Sequence, residues 1–271
     1  MKIFDCFSYL DEDMLLDIRL NILDKYVDYF VIIEGNKTWQ NNPKEFRFNF
    51  NKFKNFKHKI IYIPIDDLPG GNDPYLRENF QRNCITRGIK KADDNDFIII
   101  SDLDEIPNPK KIKYFKQSSK YAVFKQKHFY YKLNLQSQKN PYWFGSRICV
   151  KKYLKSPQWL RNLKFKKRPF WRIDKIRLNN IIDDGGWHFC NLKKPVELLY
   201  KYRNLCETDD PYNFNEKIDE KYLRLDEITK RVKMKADIIG RDDKFKKILF
   251  DESYPDYIIK NKKLFDEWIE T

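Results

Sequence analysis

The stretch Phe97-Ile-Ile-Ile-Ser-Asp-Leu-Asp-Glu-Ile-Pro107 narrows the architectures open to this chain more than any other, because an apolar run stops abruptly at Asp102, Asp104 and Glu105. Four consecutive apolar residues, with Asp and Asn before them and Pro after, suit a strand covered on both faces, as in a parallel or mixed α/β sheet. In open α/β sheets ligands bind at the carboxyl ends of the strands. Two aspartates at i and i+2 on an extended strand point to one face, and a turn starting there lets both approach one divalent ion. Such an ion suits a diphosphate ligand.

The order of elements before this strand supports the same class. Lys2–Phe7 reads as a strand, and Asp11–Lys25 as an amphipathic helix with Met14, Leu15, Ile18, Ile22 and Leu23 on one stripe. Tyr29–Glu34 is a second strand that also ends in an acid, with Gly35 and Asn36 as turn residues; Lys59–Ile65 is a third. After the loop Pro69–Pro74, Tyr75–Lys91 reads as one helix. Alternation of strand and helix predicts right-handed βαβ units, a mixed but mostly parallel sheet and helices on both faces.

The second half reads differently. Tyr121–Tyr131 and Trp143–Val150 look like aromatic-rich strands, Trp171–Ile182 is extended, and Lys194–Lys235 is mainly helical, followed by a helix-like tail from Tyr254. One domain over 1–271 is expected, divided into a nucleotide-binding half (1–107), an acceptor half (108–200) and a helical C-terminal annex (201–271).

At 271 residues and 41% hydrophobic the chain can bury one sizeable core. The balance of 54 Lys+Arg against 40 Asp+Glu, a formal +14, is compatible with an anionic small substrate, nucleic acid or peripheral association with an anionic membrane. Five cysteines without CxxC spacing suggest neither a zinc knuckle nor a disulfide framework. Acids near the amino terminus break any signal-peptide core, and no run is long and apolar enough to span a membrane, so a cytosolic protein is expected.

Two further clusters carry chemistry. Glu78 and Arg82 form an i, i+4 pair on the helix that also holds Arg77 and Gln81, the pattern of an ordinary surface salt bridge. Gly185-Gly-Trp-His-Phe189 combines glycines that permit close ligand approach, a stacking face on Trp187, and His188, which suits a metal ligand, an acid/base or a structural hydrogen-bonding role.

Taken together, Asp5-Cys-Phe7, Leu15–Leu23, Val27–Thr38, Arg77-Glu-Asn-Phe-Gln-Arg-Asn83, Ile98–Pro107 and Gly185–Phe189 resemble glycosyltransferase family 17, in order from about residue 2 to about residue 190. The resemblance implies a GT-A fold and inverting transfer from a nucleotide sugar, UDP-GlcNAc for the animal enzyme, with Mn²⁺ or Mg²⁺. On the matching positions it implies that Asp102 and Asp104 hold the metal and that Glu34 and Asn36 lie near the nucleotide. Arg77, Gln81 and Arg82 would contact phosphate or buttress the acidic strand, while Trp187 and His188 would face the metal or acceptor. Family members often carry Ser where this chain has Cys190, and the animal enzyme has a membrane anchor and luminal stem without a counterpart here. A glycan or glycoconjugate precursor, or a protein, is therefore the expected acceptor.

An inverting transferase needs one carboxylate to deprotonate the acceptor hydroxyl. Glu105 is the first candidate for its nearness to the acidic motif, with Asp183 or Asp184 as alternatives. Tyr130, Tyr131, Trp143 and Trp187 are candidates to line an acceptor groove. The rival reading is a noncatalytic nucleic-acid-binding protein using Lys164–Arg168 and Trp171, but it leaves the strand-end acids unexplained. A metal-dependent nuclease or phosphotransferase would need further acids at other strand ends.

Overall fold

The computed structural model describes residues 1–164, 180–206 and 218–271. Its first part alternates as the sequence predicts: β1 (Ile3–Ser8), α1 (Asp13–Leu23), β2 (Tyr29–Gly35), β3 (Ile60–Ile65), α2 (Pro74–Asn83), α3 (Ile85–Gly88) and β4 (Phe97–Asp102). β1 lies parallel between β2 and β4, and β3 adds in parallel to β2. The strands are apolar along their length because both faces are covered. Phe4, Cys6, Val31 and Ile33 pack in one core with Ile85 and Leu160, while Phe7, Phe30 and Ile32 pack in another with Leu15, Leu16 and Ile18 of α1.

The single helix expected over Tyr75–Lys91 is instead two. Asp73 caps α2 by accepting from the backbone N–H groups of Tyr75 and Leu76, with Pro74 in the first turn, and the helix ends at Asn83. α3 then stops at Gly88, where a Cβ would collide with Cγ1 of Val31. Close docking on β2 ends the helical run.

After β4 the chain forms β5 (Glu105–Pro107), α4 (Pro109–Ile112), β6 (Tyr121–Tyr130), β7 (Leu135–Ser137), β8 (Tyr142–Val150), α5 (Pro157–Arg161) and β9 (Ile181–Cys190). β8 runs antiparallel between β4 and β6, so the sheet is mixed. β9 pairs in parallel with β6 and antiparallel with the short β5. α6 (Pro195–Asn204), α7 (Leu225–Lys233), β10 (Phe245–Lys247) and α8 (Asp256–Lys260) follow. This last part is mainly helical but is tied to the sheet, since β10 pairs with β7 and Tyr257 of α8 donates to Asp17 of α1 at 2.6 Å. Of the basic patch Lys164–Arg168 with Trp171, only Lys164 lies within the described residues, and the extended reading of Trp171–Ile182 likewise falls mostly outside them.

Candidate active site

The register of β1 with β4 sets Ser8 beside Asp102, so two strand ends meet where the acidic turn begins. A buried arginine fixes that turn. Arg19 of α1 makes two hydrogen bonds to Asp5 of β1, at 2.8 and 2.6 Å, and both side chains are fully buried. Its remaining nitrogen, Nη1, donates to the carbonyls of Asp102, Leu103 and Glu105 at 3.2, 3.1 and 2.7 Å. The planar fork of a guanidinium suits this task because its donors diverge in fixed directions. The backbone from β4 to β5 is thereby held from below.

Cations surround the acids above. Arg161 of α5 lies 2.6 Å from Asp102 Oδ2 and makes two bonds of 2.6 Å to Glu105, while Arg82 lies 3.2 Å from Asp102 Oδ1 and 2.6 Å from Glu78. Asp104 faces His188 Nε2 at 3.5 Å and Lys201 Nζ at 4.0 Å. Burial works against the charged form of both aspartates, yet Arg161 and Arg82 hold Asp102, and His188 and Lys201 hold Asp104, below the ordinary carboxylate range. Burial alone would lower His188, but the Asp104 carboxylate outweighs it and pushes the imidazole up to about 10.

The acids open on a cavity of about 300 Å³, walled on other sides by Trp39, Lys44, Gln81 and Cys190. Asp102 and Asp104 both line it and offer hard oxygen donors of the type that Mg²⁺ or Mn²⁺ takes. Asp104 suits such an ion well, since its nearest cations stand 3.5 and 4.0 Å away. His188 also lines the cavity, but its Nε2 faces Asp104 and so orients that carboxylate. It is a neighbour of the acid pair rather than a third ligand to the same ion.

Several expected roles are corrected by position. Glu105 is 1% exposed, and its carboxylate accepts from Trp143 Nε1, Asp102 N and twice from Arg161, which leaves no lone pair for an acceptor hydroxyl. It is a brace, not a base. Asp183 and Asp184 are exposed, pair with Lys125 and Lys111, and stand outside this cavity. Trp187 points away from the acids because neighbours on a strand alternate, and its Nε1 donates to Ser253 O at 3.2 Å beneath α8.

The earlier strand end is also structural. Glu34 is fully buried and accepts from Lys44, Tyr62 and the backbone of Arg47 and Phe48, so it pins the segment that carries Lys44 into the cavity. Asn36 donates to Asp66 O at 3.4 Å and does not line the cavity. Arg77 donates to the carbonyls of Trp39 and Gly71, and Gln81 accepts from Trp39 Nε1 at 3.1 Å. Both therefore position Trp39. Arg82 does more than the i, i+4 pair predicts, since it reaches Asp102 as well as Glu78.

Arg19, Arg161 and Lys201 are absent from the sequence-based candidates, whereas Trp143, expected in the acceptor groove, does line the cavity. Arg19 left a signal: it is a charge within the apolar stripe of α1. Arg161 and Lys201 left none, because they meet the acids only across the tertiary fold.

The family model for glycosyltransferase family 17 matches residues 1–241. The human and mouse proteins named beta-1,4-mannosyl-glycoprotein 4-beta-N-acetylglucosaminyltransferase are 23% and 22% identical over 254 residues, covering 82% of this chain and 47% and 46% of their own lengths. The rat protein of that name is 30% identical over 117 residues, 39% of this chain and 22% of its own. The chain thus spans about half the length of the human and mouse relatives it matches. A Francisella tularensis 2-C-methyl-D-erythritol 4-phosphate cytidylyltransferase superposes over 76% of this chain and all of its own at 11% identity, with a TM-score of 0.33, too distant to bear on fold or activity. On the match that runs from residue 1 to residue 241, this chain belongs to glycosyltransferase family 17.

Proposed function

We propose that the chain is an inverting glycosyltransferase of GT-A type that moves a sugar, N-acetylglucosamine from UDP-GlcNAc in the first instance, onto a hydroxyl of a glycan or glycoconjugate. The observation that carries this reading is the pair Asp102 and Asp104 at the end of β4, facing a cavity and ringed by Arg82, Arg161, His188 and Lys201. The names of the relatives supply the sugar and the acceptor class.

In the proposed step the acceptor oxygen attacks the anomeric carbon as the bond to the diphosphate oxygen breaks, and the diphosphate leaves with the electron pair. Asp102 and Asp104 would hold a divalent cation, which supplies positive charge to the departing diphosphate. Arg161, Arg82 and Lys201 add fixed positive charge beside it, already oriented by Glu105, Glu78 and Asp104. The acceptor proton passes to a carboxylate. Among the described residues lining the cavity, Glu12 accepts from Leu10 N and Asp11 N through Oε2, at 3.3 and 3.1 Å, while its Oε1 has only Lys193 at 3.7 Å, whereas Glu78 and Glu105 are held by arginines at 2.6 Å. We assign the base role to Glu12.

All five cysteines are free thiols, which supports work in a reducing compartment such as the cytosol. Among the described residues, no feature favours the nucleic-acid-binding alternative.

The test is thermal stabilisation by UDP, GDP, CDP and UDP-sugars, each with and without Mn²⁺, followed by a transfer assay on the donor that stabilises. A Mn²⁺-dependent rise in Tm with UDP or UDP-GlcNAc, and transfer with inversion, is expected. No stabilisation by any nucleotide overturns the reading.

A further inference from the structure

Behind Asp104, two histidines and a cysteine stand together on the paired strands β6 and β9. His128 and His188 are direct register partners, with rings stacked at 4.7 Å and 4° between planes. Cys190 follows His188 by two residues and so shares its face of the strand. One donor atom from each of the three lies within 4.8 Å of the other two. The histidines are 5% and 7% exposed.

Hydrogen bonding fixes which ring nitrogens are free. His128 Nδ1 faces the carbonyl of Asn140 at 3.1 Å and therefore donates, leaving Nε2 buried without a partner. His188 Nε2 faces Asp104 Oδ1 at 3.5 Å, leaving Nδ1 buried without a partner. A metal-binding histidine characteristically donates its other N–H to a carboxylate or a backbone carbonyl, and here one ring does each. A structural pair would be expected to satisfy both buried ring nitrogens with oxygen partners, whereas His128 Nε2 and His188 Nδ1 have none and only the Cys190 thiol stands beside them.

We propose that His128, His188 and Cys190 form a second cation site, with nitrogen and sulfur ligands that select a borderline-soft divalent ion such as zinc. Two imidazoles and a thiolate suit zinc, whereas the carboxylate pair Asp102 and Asp104 suits a hard ion, so the two sites differ in chemistry as well as place. His188 and Cys190 also line the cavity, so an ion held there would be reachable from the side on which substrate would bind. Binding displaces the thiol proton of Cys190 and any proton on His188 Nδ1 to solvent. Because an imidazole lone pair lies in its ring plane, the two parallel rings do not point at one atom as they stand, so binding requires one ring to turn out of the stack. The site rests on geometry alone and does not depend on the transferase reading.

The test uses the whole chain, stripped with a chelator and reloaded with Zn²⁺ or Co²⁺ alone. One equivalent of Zn²⁺ retained after desalting is expected, and the cobalt form should show thiolate-to-cobalt charge-transfer absorption in the near ultraviolet. Asp102→Asn should keep both features. Cys190→Ser should lose the band, and both Cys190→Ser and His128→Gln should weaken Zn²⁺ binding by roughly 100-fold. Failure of the native chain to retain an ion, or a cobalt form without the thiolate band, overturns the site whether or not either variant folds. Retention that Cys190→Ser leaves intact does the same.

Discussion

Arg161 Nη2 stands 2.6 Å from Asp102 Oδ2, a contact that joins α5 to the end of β4 across 59 positions of sequence. The same guanidinium holds Glu105 with two bonds of 2.6 Å, so one side chain neutralises an acid that faces the cavity and another buried behind it. The acidic turn is thus compensated before any donor arrives, and an incoming diphosphate meets cations whose positions are already set.

Arg161→Ala leaves Glu105 buried without its cation, and the expected cost is about 3–5 kcal/mol of stability. Adding Glu105→Gln should recover part of this, because the uncompensated charge is then gone. Chemical denaturation of the two single variants and the double variant gives the coupling. Additive losses would show that the pair is not coupled.

Arg19 separates stability from function. Arg19→Met should destabilise by about 3–5 kcal/mol through the stranded charge of Asp5, and Asp5→Asn should relieve much of it. The double variant should still transfer poorly, since the carbonyls of Asp102, Leu103 and Glu105 lose their common donor. Comparing denaturation with transfer rates tests this, and full activity in the stable double variant would refute it.

Asp102→Asn and Asp104→Asn should each keep the fold yet lower transfer by about 10²–10³, in line with the loss of charge stabilisation at a leaving group. They should also abolish the Mn²⁺-dependent part of UDP stabilisation. Folded variants that retain full transfer would sink the metal assignment.

Gly145 is packed under the acid cluster, where a Cβ would meet Gln126 Oε1 and lie 2.6 Å from Glu105 Cδ and 2.7 Å from Trp143 Cδ1. Gly145→Ala should cost about 1–3 kcal/mol by overpacking and should displace Glu105 from Arg161. A lowered Tm together with a weakened response to UDP and Mn²⁺ is the expected result.

Asp237 gives a pH test away from the acid pair. Burial raises its pKa, although its Oδ1 accepts from the backbone of Ile239 and Arg241, both of which line the cavity. A carboxyl raised on folding destabilises the native state at pH values above its folded pKa, and the penalty disappears below its unfolded value of about 3.9. Asp237→Asn, which keeps an acceptor oxygen, should therefore raise Tm at neutral pH. Its advantage should fade as the solution is acidified toward that value, and a gain that is constant with pH would contradict the cause.

The parallel part of the sheet and the place of its acids were legible in the sequence because both are local patterns. An apolar run long enough to be covered twice, ending in Asp102, marks a strand end, and alternation with Asp11–Lys25 and Tyr75–Lys91 marks crossovers. The end of the helical run at Gly88, short of the expected Lys91, was not legible, since there the chain docks closely on Val31 of β2. Only the tertiary structure decided which charges meet: Arg19 with Asp5, Arg161 with Asp102 and Glu105, and Lys201 with Asp104 come from elements far apart in sequence. The block Gly-Trp-His makes the same point within one strand. Alternation separates Trp187 from His188, but pairing of β9 with β6 and β5 decides that Trp187 joins the core and His188 joins the acids. Strand register and long-range charge compensation depend on partners that no local window contains, which is why the sequence located the acids and the fold chose their company.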